Sequence, residues 1–209
     1  SGSPMPETAL RDWRAATLAA VAAIVALRIV ALAFDRTDLF VDEAQYWLWG
    51  QSFEAGYYSK PPLIAWVIGA VTALAGSDAP FWVRLPGPVL HGATALILAA
   101  AARLVWDARA GFWTALTYVT LPFTAVGSAM ISTDTVLAPF YAGAIYFTLR
   151  AQRDGGPGWA ALAGASLGAA FLAKYAALYF LIGLALAWIL VPAMRLRLGR
   201  FLIEPLDAV

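Results

Sequence analysis

The sequence predicts an all-α fold, a polytopic membrane helix bundle of about six transmembrane spans with interfacial helices in the first outer loop. Three observations carry this reading. Hydrophobic residues make up 62% of the chain and charged ones 13%, against about 45–50% and about 25% in soluble domains. The mean hydropathy is +0.72. The apolar residues also gather into runs near the roughly 20 residues that a helix needs to cross the hydrocarbon core.

The first run covers 13–34 and follows Arg11 and Arg14; the others cover 85–105, 111–131, 135–149, 158–173 and 176–193. One more apolar stretch, 61–76, decides the topology. If it crosses the membrane, later loops invert and Arg103 and Arg109 face outward. If it lies in the interface or re-enters, Arg11, Arg14, Arg103, Arg109, Arg150, Arg153, Arg195, Arg197 and Arg200 share one side. The positive-inside rule selects the second arrangement and makes both chain ends cytoplasmic.

Residues 1–12 then comprise a tag remnant (Ser1-Gly2-Ser3-Pro4 ahead of Met5) and a cytoplasmic N-terminus. Residues 13–200 form the transmembrane domain, with its first outer loop at 35–84, and 201–209 form a C-terminal tail. No cleavable signal peptide is evident, since the first run is long enough to be a retained span. Pro122 and Pro139 interrupt spans, which neighbouring helices tolerate. Gly164 and Gly168 offer a small-residue face for close helix packing. The stretch from Asp154 through Gly155, Gly156 and Pro157 to Gly158 reads as a turn. Trp47, Trp49 and Trp82 suit interfacial anchoring at the outer surface.

Composition also excludes several functions. A net charge of +1 makes nucleic acid an unsuitable partner, and the absence of cysteine excludes disulfides and thiolate-bound metals. The single histidine, His91, excludes a multi-histidine metal site. No cofactor is firmly implied, and a divalent metal is unsupported. No internal repeat appears, so the inverted-repeat pattern of many transporters is unsupported.

The topology puts Asp42, Glu43, Tyr57, Tyr58, Lys60, Arg84, Asp134 and Lys174 on the outer side, where unpaired charge beside lipid is expensive. Residues 41–53 read as a short helix on the membrane surface. Asp42 suits its N-cap and Glu43 its positive end. Pro61 and Pro62 open the next helix and fix the direction of Lys60. Lys60 is either a snorkelling lysine or a cation for a lipid phosphate. Asp134, after Ser132 and Thr133, suits a helix cap as well as a site acid. Lys174 at a hairpin tip and Arg84 at a span end are open to the same two readings. Arg28 lies within the first span and is expected to face the bundle in an ion pair. His91 is expected to be a hydrogen-bonded core residue.

The run Asp42-Glu43-Ala44-Gln45-Tyr46-Trp47, followed by Gly56-Tyr57-Tyr58-Ser59-Lys60-Pro61-Pro62-Leu63, resembles the first outer loop of GT-C membrane glycosyltransferases. The nearest branch is the family-39, protein-mannosyltransferase-like group, which includes bacterial aminoarabinose transferases acting on lipid A. Ser132-Thr133-Asp134 is similar to that group's second outer acidic position, and Phe171-Leu172-Ala173-Lys174-Tyr175 to its fifth-to-sixth span junction. The resemblance covers only the N-terminal part of such proteins. It implies Asp42, Glu43 and Asp134 as catalytic acids, with Asp42 as general base or orienting acid. It implies Lys60 as the ligand of the donor phosphate with Tyr57 nearby, and Tyr58, Arg84 and Lys174, expected on the same side, complete the candidate donor-phosphate site. Ser59 stands where some aminoarabinose transferases carry an acid, which weighs against lipid A as acceptor and against a metal there.

The implied reaction moves a sugar from a polyprenyl-phosphate donor to a lipid, glycan or protein acceptor on the outer face of the membrane. A partly buried Asp42 would take the acceptor proton, Lys60 would stabilise the leaving phosphate, and attack opposite it would invert the anomeric centre. The setting is the bacterial inner membrane with a periplasmic active face. A further chain, or a C-terminal half, would complete the cavity. Two alternatives use the same charges: a non-catalytic membrane module that binds lipid-linked sugar, and a lipid or solute transporter.

Overall fold

A computed structural model of the chain describes residues 7–191. The segments expected to be a tag remnant and a C-terminal tail, the end of the sixth predicted span, and Arg195, Arg197 and Arg200 lie outside the described residues. The described residues form helices joined by turns and loops, with no strand among them. The all-α expectation therefore holds, and the apolar helices fit a membrane protein.

Helix α1 (Glu7–Phe34) is followed by the short α2 (Val41–Trp49), α3 (Leu63–Ala75) and α4 (Pro80–Arg84). Then come α5 (Pro86–Val105), α6 (Ala108–Thr120), α7 (Pro122–Ala129) and α8 (Thr133–Asp154). The series ends with α9 (Pro157–Ala173), a 3₁₀ turn at Tyr175–Ala177, and α10 (Leu178–Leu190). Two stretches, Asp12–Phe34 and Pro80–Val105, are long and apolar enough to cross a membrane unaided. The second is longer than the predicted 85–105 because α4 runs almost directly into α5.

Helix α3 is about 20 Å long at 1.5 Å per residue, short of the roughly 30 Å core. The predicted span at 111–131 is broken in two, because Pro122 cannot donate a backbone hydrogen bond and starts a new helix. Pro139, by contrast, sits inside an unbroken α8. The tight turn between α8 and α9 uses Gly155 and Gly156 at φ of 72° and 90°, a region open to glycine.

Two packing centres hold the bundle. Val21, Ala95, Ala99, Ala115 and Val119 join α1, α5 and α6. Tyr46, Ile64, Ile68, Val83, Ile131, Val136 and Ala173 form the other, where α2, α3, α4, α8 and α9 meet. There α2 and α3 cross in backbone contact. A Cβ added to Gly50 would fall 2.8 Å from the carbonyl oxygen of Ala65 and 3.0 Å from the Gly69 nitrogen. The helix carrying Asp42 is thereby locked against the helix that follows Lys60.

Two packing expectations need correction. Gly164 and Gly168 do not mediate a close approach among the described residues: a Cβ on either would meet nothing within 4 Å. The near contact between α8 and α9 is instead at Gly143, whose added Cβ would lie 3.2 Å from the Ser166 hydroxyl. Arg28 does face the bundle, but it makes no ion pair among the described residues. It donates to the Ser128 hydroxyl at 3.0 Å and to the Val119 carbonyl. His91 is the hydrogen-bonded core residue expected, sharing a 2.9 Å bond with the Tyr118 hydroxyl.

Candidate functional site

The segment 35–84 is built around one buried guanidinium. Arg84 and Glu43 are each 1% exposed and pair at 2.7 Å between Nη2 and Oε2. Arg84 Nε donates to Glu43 Oε1 at 3.0 Å, and Nη2 also donates to the Asp38 carbonyl at 2.8 Å. Nη1 donates to Asp35 Oδ2 and the Thr37 hydroxyl, both at 3.0 Å. Glu43 accepts two more bonds, from the Phe40 N–H at 3.1 Å and from the Ile131 N–H at 3.0 Å. One ion pair thus ties α4, the start of α2, the loop after α1 and the connection before α8.

These contacts take Glu43 and Arg84 out of the roles expected of them. A base needs a free lone pair facing substrate and a phosphate ligand needs free donors. Here the two groups and their neighbours satisfy one another inside the protein, an arrangement that fixes the loop. Asp42 also differs from expectation. Phe40, not Asp42, occupies the N-cap of α2; Asp42 falls in the first turn, where the helix dipole favours it, and its side chain is exposed rather than partly buried.

Tyr46, one turn along from Asp42 at the i,i+4 spacing, is 3% exposed. Burial pushes its phenol above the ordinary tyrosine range, and the charges of Asp42 and Asp134 raise it further. The two acids, from α2 and α8, therefore bear on one phenol. Tyr46 stands in the Asp42–Trp47 run with no role expected of it, and its i,i+4 step from Asp42 is the signal in the sequence that points to it.

Asp134 does not cap α8. Ser132 does so, its hydroxyl accepting the Thr135 N–H at 3.3 Å. Asp134 is left free to take both bonds of Lys174, whose Nζ lies 2.7 Å and 2.8 Å from its two oxygens. The pair is partly open, with side chains 42% and 35% exposed. Lys174 was expected to hold phosphate; here its ammonium is engaged by Asp134.

The rest of the expected phosphate site lies past the far end of α2. Tyr57 stacks on Trp49 at a ring separation of 5.2 Å, and its hydroxyl is held by the Ser52 carbonyl. Tyr58 is 99% exposed and contributes to no enclosed surface. Lys60 is half-buried, and Pro61 and Pro62 after it are buried, so its backbone is anchored. Among the described residues Lys60 makes no ion pair. The fold thus brings Asp42 and Asp134 to bear on Tyr46, with Lys174 on Asp134, and Tyr57 joins this group through Trp49, whose ring lies 6.0 Å from that of Tyr46. Asp35, beside this region, has its carboxyl held below the usual carboxylate range by the Thr37 N–H and hydroxyl, with Arg84 adding to the effect. No cluster of three or more His, Cys, Asp or Glu able to hold a metal occurs among the described residues.

A family model described as dolichyl-phosphate-mannose-protein mannosyltransferase matches residues 59–203. The matched range includes Lys60, Arg84, Asp134 and Lys174 but begins after Asp42. A curated relative, the lipid A galacturonosyltransferase RgtD of Rhizobium johnstonii, is 49% identical over 171 residues. That alignment takes in 81% of this chain and 36% of the relative, so the chain spans about a third of the relative's length. No solved structure matches.

Proposed function

The chain belongs to the dolichyl-phosphate-mannose-protein mannosyltransferase family, and on that premise we propose that it moves a sugar from a polyprenyl-phosphate donor to an acceptor on the outer face of the bacterial inner membrane. Its spans are 13–34, α4 with α5, α6 with α7, α8, α9, and the last apolar stretch. Both ends are cytoplasmic, and 13–200 form one transmembrane domain. The relative's name makes a galacturonosyl group the leading sugar and lipid A the leading acceptor. It outweighs the reservation drawn from Ser59.

The observation that carries this reading is the partition of charge in the outer loop. Glu43 and Arg84 are saturated, whereas Asp42 is exposed and Lys60 has no ion-pair partner among the described residues. Asp42 takes the proton of the acceptor hydroxyl as its oxygen bonds to the anomeric carbon. The bond from that carbon to the phosphate oxygen breaks on the opposite face, inverting the centre. Lys60 stabilises the charge left on polyprenyl phosphate. Asp134 and Lys174 close the acceptor side. A transporter would need polar groups at mid-membrane depth that face a pathway, but Arg28 and His91 are both engaged by neighbours.

Binding of undecaprenyl phosphate to the reconstituted chain tests the assignment, with Lys60→Ala and Asp42→Asn alongside. Lys60→Ala should lose most of the binding and Asp42→Asn should keep it while abolishing transfer. Unchanged binding in Lys60→Ala would remove the phosphate site from this loop. Full transfer in Asp42→Asn would remove the base.

A further inference from the structure

A second charged site lies at the other end of the bundle. Arg103 is about 26 Å along α5 from Pro86, close to the thickness of the hydrocarbon core. There α1, α5, α6 and α8 surround a cavity of about 570 Å³ lined by Arg14, Arg103, Arg150 and Arg153. Trp106 also lines it and is 73% exposed, as suits a side chain at the membrane–water boundary.

Little negative charge answers these arginines. Asp107 is the acid among the lining residues, and its Oδ1 already accepts the Ala110 N–H at 2.7 Å as the N-cap of α6. Arg150 is ion-paired to Asp154 and lies over the Trp159 ring at 4.3 Å. Arg153 approaches Asp154 at only 3.9 Å. Arg14 and Arg103 have no ion-pair partner among the described residues, and both also line a second space of about 340 Å³ between α1 and α5. Like charges gathered beside a space of headgroup size repel one another until an anion enters. Guanidinium groups suit phosphate in particular, because their paired N–H donors match its oxygens.

We propose that this cavity binds a phosphate anion, supplied by the headgroup of an anionic phospholipid or by soluble phosphate. Basic pockets between helices at a membrane boundary have the chemistry for such headgroups. The site lies at the opposite boundary from Asp42 and Lys60, so its occupancy is separate from sugar transfer.

The test is binding of dioctanoyl phosphatidylglycerol to the purified chain, read by native mass spectrometry, with dioctanoyl phosphatidylcholine for comparison. Phosphatidylglycerol should bind saturably and in preference to phosphatidylcholine. The double substitution Arg14→Gln with Arg103→Gln should weaken that binding by about tenfold or more, since two phosphate-facing charges are lost. Arg14→Lys with Arg103→Lys keeps the charge and should stay within a few-fold of the parent, which guards against misfolding as the cause. Arg109→Gln, exposed and outside the cavity, should change nothing. Competition by inorganic phosphate would identify a soluble ligand, and its failure to compete would identify the lipid; either supports the site. Equal binding of the two lipids, or an equal loss in Arg109→Gln, would overturn it.

Discussion

Replacing Arg84 by alanine strands the Glu43 carboxylate in the protein interior. In the parent, Glu43 is 1% exposed and receives bonds from Arg84, Phe40 and Ile131. Without the guanidinium, two backbone N–H groups remain to support a full negative charge. Breaking a buried pair from one side costs about 3–5 kcal/mol. The half-open contact to Asp35 adds little, since exposed pairs are worth ~0–1 kcal/mol. A loss of about 3–5 kcal/mol lowers the folded-to-unfolded ratio by roughly two to three and a half powers of ten. Denaturant titration in mixed micelles, followed by tryptophan fluorescence, measures the change. Glu43→Leu with Arg84→Met, which removes both charges and keeps apolar volume, should recover much of it. A single Arg84→Ala costing under about 1 kcal/mol, while undecaprenyl phosphate binding is lost, would refute this account. Arg84 would then be the phosphate ligand that its position in the sequence suggested.

The half-open Asp134–Lys174 pair makes the opposite prediction: Lys174→Ala should cost at most ~1 kcal/mol of stability yet lower transfer by tenfold or more, measured as initial rates in proteoliposomes. Asp35 predicts an acid response. Its carboxyl is held below the usual range, so its stabilising contribution is present above the unfolded value, near about pH 4, and is lost as pH falls through the lower folded value. Hydrogen exchange in residues 35–40 should therefore speed up below about pH 4, and Asp35→Asn should flatten that dependence.

Much of this architecture was legible in the sequence because apolar runs and proline act locally. The runs at 13–34 and 158–173 became α1 and α9 with small shifts at their ends. The prolines before Leu63 marked the start of α3. Pairing across long separations was not legible. Glu43 and Arg84 are far apart in the chain, and nothing in the spacing says that they meet. Read as isolated charges beside a membrane, they look like two functional groups; brought together, they are one structural element. The glycines of α9 failed for a related reason. A small-residue spacing tells which face permits close approach, but the partner helix decides whether that face is used, and α8 packs elsewhere.

The same contrast bears on which residues of this region can do chemistry. A group that acts in a cycle must change partners, accepting a proton or releasing a phosphate and then resetting. A side chain that is buried, charged and fully bonded resists that change, because each lost bond leaves desolvated charge behind. Glu43 and Arg84 meet that description. Asp42 does not, being exposed, and Lys60 does not, lacking an ion-pair partner among the described residues and standing on buried prolines. Asp134 and Lys174 fall between, since their pair is partly open to water and can exchange one partner for another at small cost. The strongest interaction in the loop thus holds the scaffold still, while the weaker ones remain available to substrate. This division separates Glu43 and Arg84, which stand beside Asp42 and Lys60 as site groups in the sequence, from the groups that remain free to react.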